Sequence, residues 1–168
     1  MAATLSTMMP IGTRAPGFNL IDTVSGRMLG LEDVKGEKAT VVMFICNHCP
    51  YVKHISRQIV KVSEKYMPYG VAFIAISSND VENYPEDAPE LMKKTAQEEG
   101  YPFPYLYDES QEVAKAYDAA CTPDFFVFDA DLNCAYRGQF DDSRPKNDIP
   151  PTGKDLSLAL EEVIAGLP

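Results

Sequence analysis

The chain has 168 residues, 45% hydrophobic and 24% charged, with 9 Tyr, 8 Phe and no Trp, the make-up of one ordinary globular domain able to fill a core. Its formal net charge of −10 repels nucleic-acid phosphates and anionic lipid, so neither is an expected partner. No run reaches the roughly 18–20 apolar residues of a membrane span.

Nothing basic precedes Arg14 and no apolar stretch of signal-peptide length opens the chain, which sets the expectation of a cytoplasmic protein. Residues 10–16 are a turn-rich entry. Residues 17–20 and 27–29 flank Thr23-Val24-Ser25-Gly26 as a small hairpin, and residues 35–38 form a polar turn. The continuous apolar run 41–45 has the pattern of a strand buried on both faces. It empties into Cys46-Asn47-His48-Cys49. From Pro50 onward Val52, Ile55, Ile59, Val62 and Tyr66 recur at steps of three and four, the stripe of an amphipathic helix ended by Pro68 and Gly70. Residues 71–76 are a second buried strand. The loop 77–89 is polar, and its acids Glu82, Glu86 and Asp87 read as a solvated surface, with coordination of a hard cation as the alternative. A helix over 90–98 stops at Gly100 and a short strand covers 103–107. Asp108 or Ser110 then caps a helix running to Tyr117. Residues 125–128 and 134–138 are a strand pair around the turn 129–133. A polar loop over 140–152 precedes a last helix that buries Leu156, Leu160, Val163, Ile164 and Leu167.

Four cysteines in a chain of this size point to redox or metal chemistry rather than to a disulfide scaffold. Two of them, Cys46 and Cys49, fall where the apolar strand meets the first turn of a helix. The unpaired N–H groups and the dipole of that turn stabilise a thiolate, moving a thiol from a pKa of about 8.5 towards roughly 3.5–7.5. His48, when protonated, adds a positive charge in the same direction.

The order strand, helix, strand, helix, hairpin and terminal helix, with a CxxC at the first strand-to-helix junction and Thr122-Pro123 before the hairpin, resembles the thioredoxin fold. That is an α/β fold with a central mixed sheet flanked by helices. Here it carries an N-terminal β-hairpin extension over about residues 1–38 on a core over about 39–168, the whole forming a single domain. The motifs Cys46-Asn47-His48-Cys49-Pro50-Tyr51-Val52-Lys53, Tyr84-Pro85-Glu86-Asp87-Ala88-Pro89-Glu90, Phe103-Pro104-Tyr105-Leu106-Tyr107-Asp108-Glu109 and Thr122-Pro123 are similar to the peroxiredoxin-like redoxins of that superfamily, the group related to AhpC/TSA.

The resemblance implies a thiol–disulfide oxidoreductase needing no cofactor and no metal. Cys46 would be the exposed nucleophile. Cys49, more buried, would resolve the mixed disulfide and leave a Cys46–Cys49 bond. His48 would tune the thiolate, and Pro123 would be cis, with Asn47, Thr122 and Pro123 forming the substrate platform. Partners would be disulfide-bearing proteins or small thiols and an upstream reductant. Residues three apart in a helical turn share a face, so such sulfurs can meet.

Three departures limit the resemblance. Thr40 stands where thioredoxins keep a buried acid. Cys46 occupies the peroxiredoxin hydroxyl position while Cys49 takes the peroxidatic one. Cys121-Thr122-Pro123 carries no peroxiredoxin arginine. A thiol peroxidase with an antioxidant role is therefore the rival reading, disfavoured because peroxide cleavage needs donors aimed at the leaving oxygen. A zinc site of Cys46, Cys49, Cys121 and Cys134 is a weaker rival. Cys121 reads as packing or as an accessory thiol, Cys134 as packing, and His54 and Lys53 as solvated.

Overall fold

The computed structural model of the chain describes residues 9–119 and 122–166. The expectations for Cys121 and Leu167 fall outside the described residues.

All six residues of β3 (Ala39–Phe44) are buried, because this strand sits inside the sheet with a helix-covered core on each face. β4 (Val71–Ser77) pairs with it in parallel and β6 (Asp124–Asp129) antiparallel. Val42 thus lies opposite Ile74 on one side and Phe126 on the other. With β1 (Asn19–Asp22), β2 (Met28–Gly30), β5 (Tyr105–Tyr107) and β7 (Cys134–Gly138), the sheet runs β2-β1-β5-β4-β3-β6-β7. Strand side chains alternate between faces, so β3 feeds two cores. Val41, Met43 and Ile45 meet α2 (Pro50–Tyr66), α3 (Pro89–Glu99) and α5 (Lys154–Ile164). Val42 and Phe44 meet α1 (Leu31–Val34), α4 (Glu112–Ala116) and the segment from Met9 to Ala15.

α2 buries the expected stripe of Val52, Ile55, Ile59, Val62 and Tyr66. Each fully buried aliphatic side chain contributes about 1.5–3 kcal/mol. Pro50 is its first residue, where a missing N–H leaves nothing unsatisfied. The helix passes into a 3₁₀ turn, Met67–Tyr69, and ends at Gly70 with φ 86°.

Some elements depart from expectation. The dithiol does not lie in the first helical turn: residues 46–48 form a loop and Cys49 is the N-cap of α2, with φ −66° and ψ 120°. Pro50 is the cause, since a residue before proline is driven into extended backbone. The hairpin strands lie further along than expected because Asp22 fastens the end of β1. Its carboxylate accepts the amides of Val24 and Ser25 in the turn and that of Tyr105 in β5. The single turn α1, absent from the sequence reading, is held by Asp33, whose carboxylate accepts the Gly30 amide at 2.8 Å. Both expected caps of α4 take part, Ser110 Oγ accepting Glu112 N and Asp108 Oδ2 accepting Ala114 N.

The polar loop between β7 and α5 is a strap across the first turns of α2. Asp141 is buried and accepts the amides of Ser143, Thr152 and Gly153 at 2.7–2.9 Å. The Arg144 guanidinium lies 4.6 Å over the Tyr51 ring. His54 is therefore not simply solvated: its Nε2 lies 2.7 Å from Ser143 Oγ, which donates to Ile149 O. At the other end of the sheet, Gly12 N and Thr13 O exchange backbone bonds with Cys134.

Candidate active site

β3 ends at Phe44, and Ile45 N donates to Ile76 O at 3.0 Å, so the chain leaves the sheet only at Cys46. That places Cys46 under the CxxC loop, 1% exposed, whereas Cys49 is half-buried where α2 emerges. The expected exposure is thus reversed: the first cysteine is covered and the second faces out. Thr122 bridges them. Its Oγ1 lies 3.5 Å from Cys46 Sγ, and its carbonyl accepts from Cys49 Sγ at 3.7 Å. The Thr122–Pro123 peptide is cis, as the resemblance implied.

The two thiols meet on Thr122, and their acidities split between them. Cys49 is lowered to about 5 by its interaction with Cys46, against burial and with help from Val52 N–H, the Thr122 hydroxyl and Tyr51 N–H. These amides belong to the first turn of α2, whose N–H groups have no partner within the helix. Cys46 is pushed up by the same interaction, by burial and by the Asp87 charge, with the Thr122 hydroxyl opposing. The dithiol titrates as one unit, and the first proton to leave uncovers a thiolate on Cys49.

Asp87 organises the loop. It lies in the 3₁₀ turn Pro85–Asp87, and its side chain is fully buried, contrary to the solvated loop expected there. Oδ1 accepts Asn47 N at 2.7 Å and His48 N at 3.2 Å, while Oδ2 meets His48 Nδ1 at 2.5 Å and accepts Asn79 Nδ2 at 2.9 Å. His48 also stacks on Tyr84, with centroids 4.5 Å apart. The Asn47 side chain donates to Glu86 O and accepts from Tyr105 OH, which makes it a strut of the loop. Sequence reasoning missed Asp87 because nothing local distinguishes a carboxylate that a distant loop will bury. Thr40 stays at the far end of β3, accepting Gly36 N.

A cavity of about 430 Å³ runs between α2 and α3 and reaches the dithiol; Cys46, Asn47, Val52, Lys53, Leu91 and Tyr101 are among its lining residues. Lys53 is exposed on its rim. Cys134 is elsewhere. It pairs with Phe128, and Phe128 with Thr40, six residues back from Cys46, or about 20 Å along a strand. Burial pushes its thiol up, and it cannot join the dithiol around one zinc ion. Arg137 is also buried, its guanidinium bonded to Asp124 Oδ2 at 2.9 Å and to Asp118 O at 3.0 Å, 5.2 Å over the Phe126 ring.

A mixed sheet with a dithiol beyond its central strand, a long helix opening there and a cis-proline alongside defines a redox protein of thioredoxin-like fold. The thioredoxin domain of a thiol-disulfide oxidoreductase from Bacteroides vulgatus superposes with a TM-score of 0.72 at 19% identity, over 94% of this chain and 99% of that one. The chain belongs to the AhpC/TSA family, whose model matches residues 11–137. It is similar along its whole length to a conserved protein of Geobacillus kaustophilus, with 61% identity, 89% of that chain covered and a TM-score of 0.97. A hypothetical protein of Sinorhizobium meliloti shares 44% identity over 96% of this chain and 88% of that one, with a TM-score of 0.93. None of the curated proteins matches.

Proposed function

We propose that the chain is a thiol–disulfide oxidoreductase whose working pair is Cys46 and Cys49, acting as one unit in which hairpin and core share a sheet. The observation that carries it is the pair of free thiols converging on Thr122, one of them at the N-cap position of α2. Burial and the helix amides favour Cys49 as the attacking group, in place of the Cys46-first order implied by the motif. The Cys49 thiolate attacks one sulfur of a substrate disulfide, the other sulfur leaves as a thiolate, and a mixed disulfide forms. Cys46 then attacks the Cys49 sulfur, its proton going to the departing substrate thiolate. Two electrons have reached the substrate, and the resulting Cys46–Cys49 disulfide is reopened by an upstream dithiol reductant. His48, held by Asp87, stands beside Cys46, while Thr122 and Pro123 form the wall against which a disulfide-bearing protein or small disulfide docks.

Among the described residues no helix is long and apolar enough to cross a membrane; we assign the reaction to the reducing cytoplasm, where cell fractionation checks it. The chemical test is a titration of the purified chain in glutathione buffers of set potential, read by alkylation and intact mass. One two-electron transition, lost in both Cys46→Ser and Cys49→Ser, is expected, and its absence in the wild type overturns the assignment.

The second reading, reduction of hydroperoxides by Cys49, is favoured by the N-cap position of that thiol. Against it stand the Cys46 thiol at the expected hydroxyl position and the commitment of the Arg137 guanidinium to Asp124 and Asp118. A rate constant with hydrogen peroxide no higher than that of a free thiol excludes it.

A further inference from the structure

We propose that the reduced site is also a binding site for a thiophilic divalent cation, Zn²⁺, held by Cys46, Cys49, His48 and Asp87. Cys46 Sγ, a ring nitrogen of His48 and a carboxylate oxygen of Asp87 lie within 4.8 Å of one another, and Cys49, whose Sγ meets the same Thr122 as Cys46, supplies the fourth donor by rotating towards them. Around tetrahedral zinc, with bonds of about 2.0–2.3 Å, neighbouring donors stand about 3.3–3.7 Å apart. The donors of Cys46, His48 and Asp87 therefore reach that geometry by shifts of about 1 Å.

The position of the cation follows from the hydrogen bonds. His48 Nδ1 and Asp87 Oδ2 meet at 2.5 Å, and a cation entering between them keeps both atoms bonded while letting them separate. Asp87 does not lose its footing in the exchange. Oδ1 still holds two loop amides and Oδ2 still accepts from Asn79, the outer bonds that orient a metal-ligating carboxylate. Two thiolates, an imidazole and one carboxylate form a set suited to Zn²⁺, whereas Mg²⁺ and Ca²⁺ prefer oxygen donors throughout. Binding at neutral pH displaces the proton held by Cys46 and the one between His48 and Asp87, and no electron is transferred. A disulfide offers no thiolate, so only the reduced chain loads, and a loaded chain cannot exchange disulfides. The site does not depend on the exchange activity and differs from a set that draws on Cys134, which lies at the other end of the sheet.

The test is titration of the reduced, metal-free full chain with Zn²⁺ against a chromogenic chelator, with Co²⁺ as spectroscopic probe. One Zn²⁺ per chain is expected, with thiolate-to-cobalt charge transfer and the intense visible bands of a tetrahedral site. His48→Gln and Asp87→Asn should each weaken binding by more than the roughly 10–100-fold that follows loss of an outer partner, and Cys46→Ser and Cys49→Ser further still. Cys134→Ser and the disulfide form are the controls, unchanged and non-binding respectively. His48 is partly exposed, so its variant keeps the test informative if Asp87→Asn fails to fold. Binding by His48→Gln as tight as wild type, loss of binding in Cys134→Ser, or no one-to-one complex overturns the proposal.

Discussion

At the scale of single residues, the site distributes burial between its two cysteines in the reverse of the order the motif implies. Cys49 caps α2 and is lowered to about 5, so its thiolate is populated above that pH. In the presence of chelator, alkylation by iodoacetamide should rise about tenfold per pH unit up to pH 5 and level off beyond, whereas an ordinary thiol keeps climbing to about 8.5. In the same experiment Cys134, buried and raised, should react only on unfolding. The order of attack has its own check. Cys46→Ser should accumulate a mixed disulfide on Cys49 and Cys49→Ser should accumulate none, as read by intact mass after exposure to a disulfide substrate; the reverse pattern returns the nucleophile to Cys46. In Asp87→Asn one oxygen still accepts the loop amides, but the other becomes an NH2 donor facing His48 Nδ1 and the Asn79 amide. Asp87→Asn should cost about 3 kcal/mol of stability in urea titration. The CxxC, its strand and its helix were legible because hydrophobic runs and a proline opening a helix are local signals. The burial of Asp87 was not, since it arises from packing against Asn47 and His48 some forty residues away.

At the scale of elements, α2 is governed from both ends of its first turns. The CxxC loop enters under Asp87, and the strap from β7 to α5 lies across Tyr51 and His54. Gly153, with φ 74°, lets that strap turn into α5; a Cβ there would stand 2.8 Å from both Phe140 Cζ and Val62 Cγ2. Gly153→Ala should therefore destabilise the chain by about 1–3 kcal/mol, seen as a lowered denaturation midpoint. A polar loop with three prolines reads as open coil, and only the buried Asp141 carboxylate, which collects three amides, reveals it as a structural piece. The stripe on α2, by contrast, was readable to the residue, because 3.6-residue periodicity records which face is buried.

At the scale of the whole molecule, β3 belongs to both cores and has partners on both edges, while β2 closes the sheet at one margin. Backbone amides of Val41, Val42 and Met43 should exchange slowest in hydrogen–deuterium exchange and those of β1 and β2 fastest, since opening β3 requires losing both cores. Comparable rates in the two regions would show that the sheet does not open in this order.

The stitching of residues 12–15 onto the turn before β7 bears on how the molecule comes to exist at all. Arg14 Nη1 reaches Asp131 O across 117 residues of chain, and Gly12 and Thr13 bond to Cys134 over a similar separation. Long-range closures of this kind slow assembly. They lie at the end of the sheet away from the thiols, so a folding chain can bring its dithiol together while this distant seam is still open.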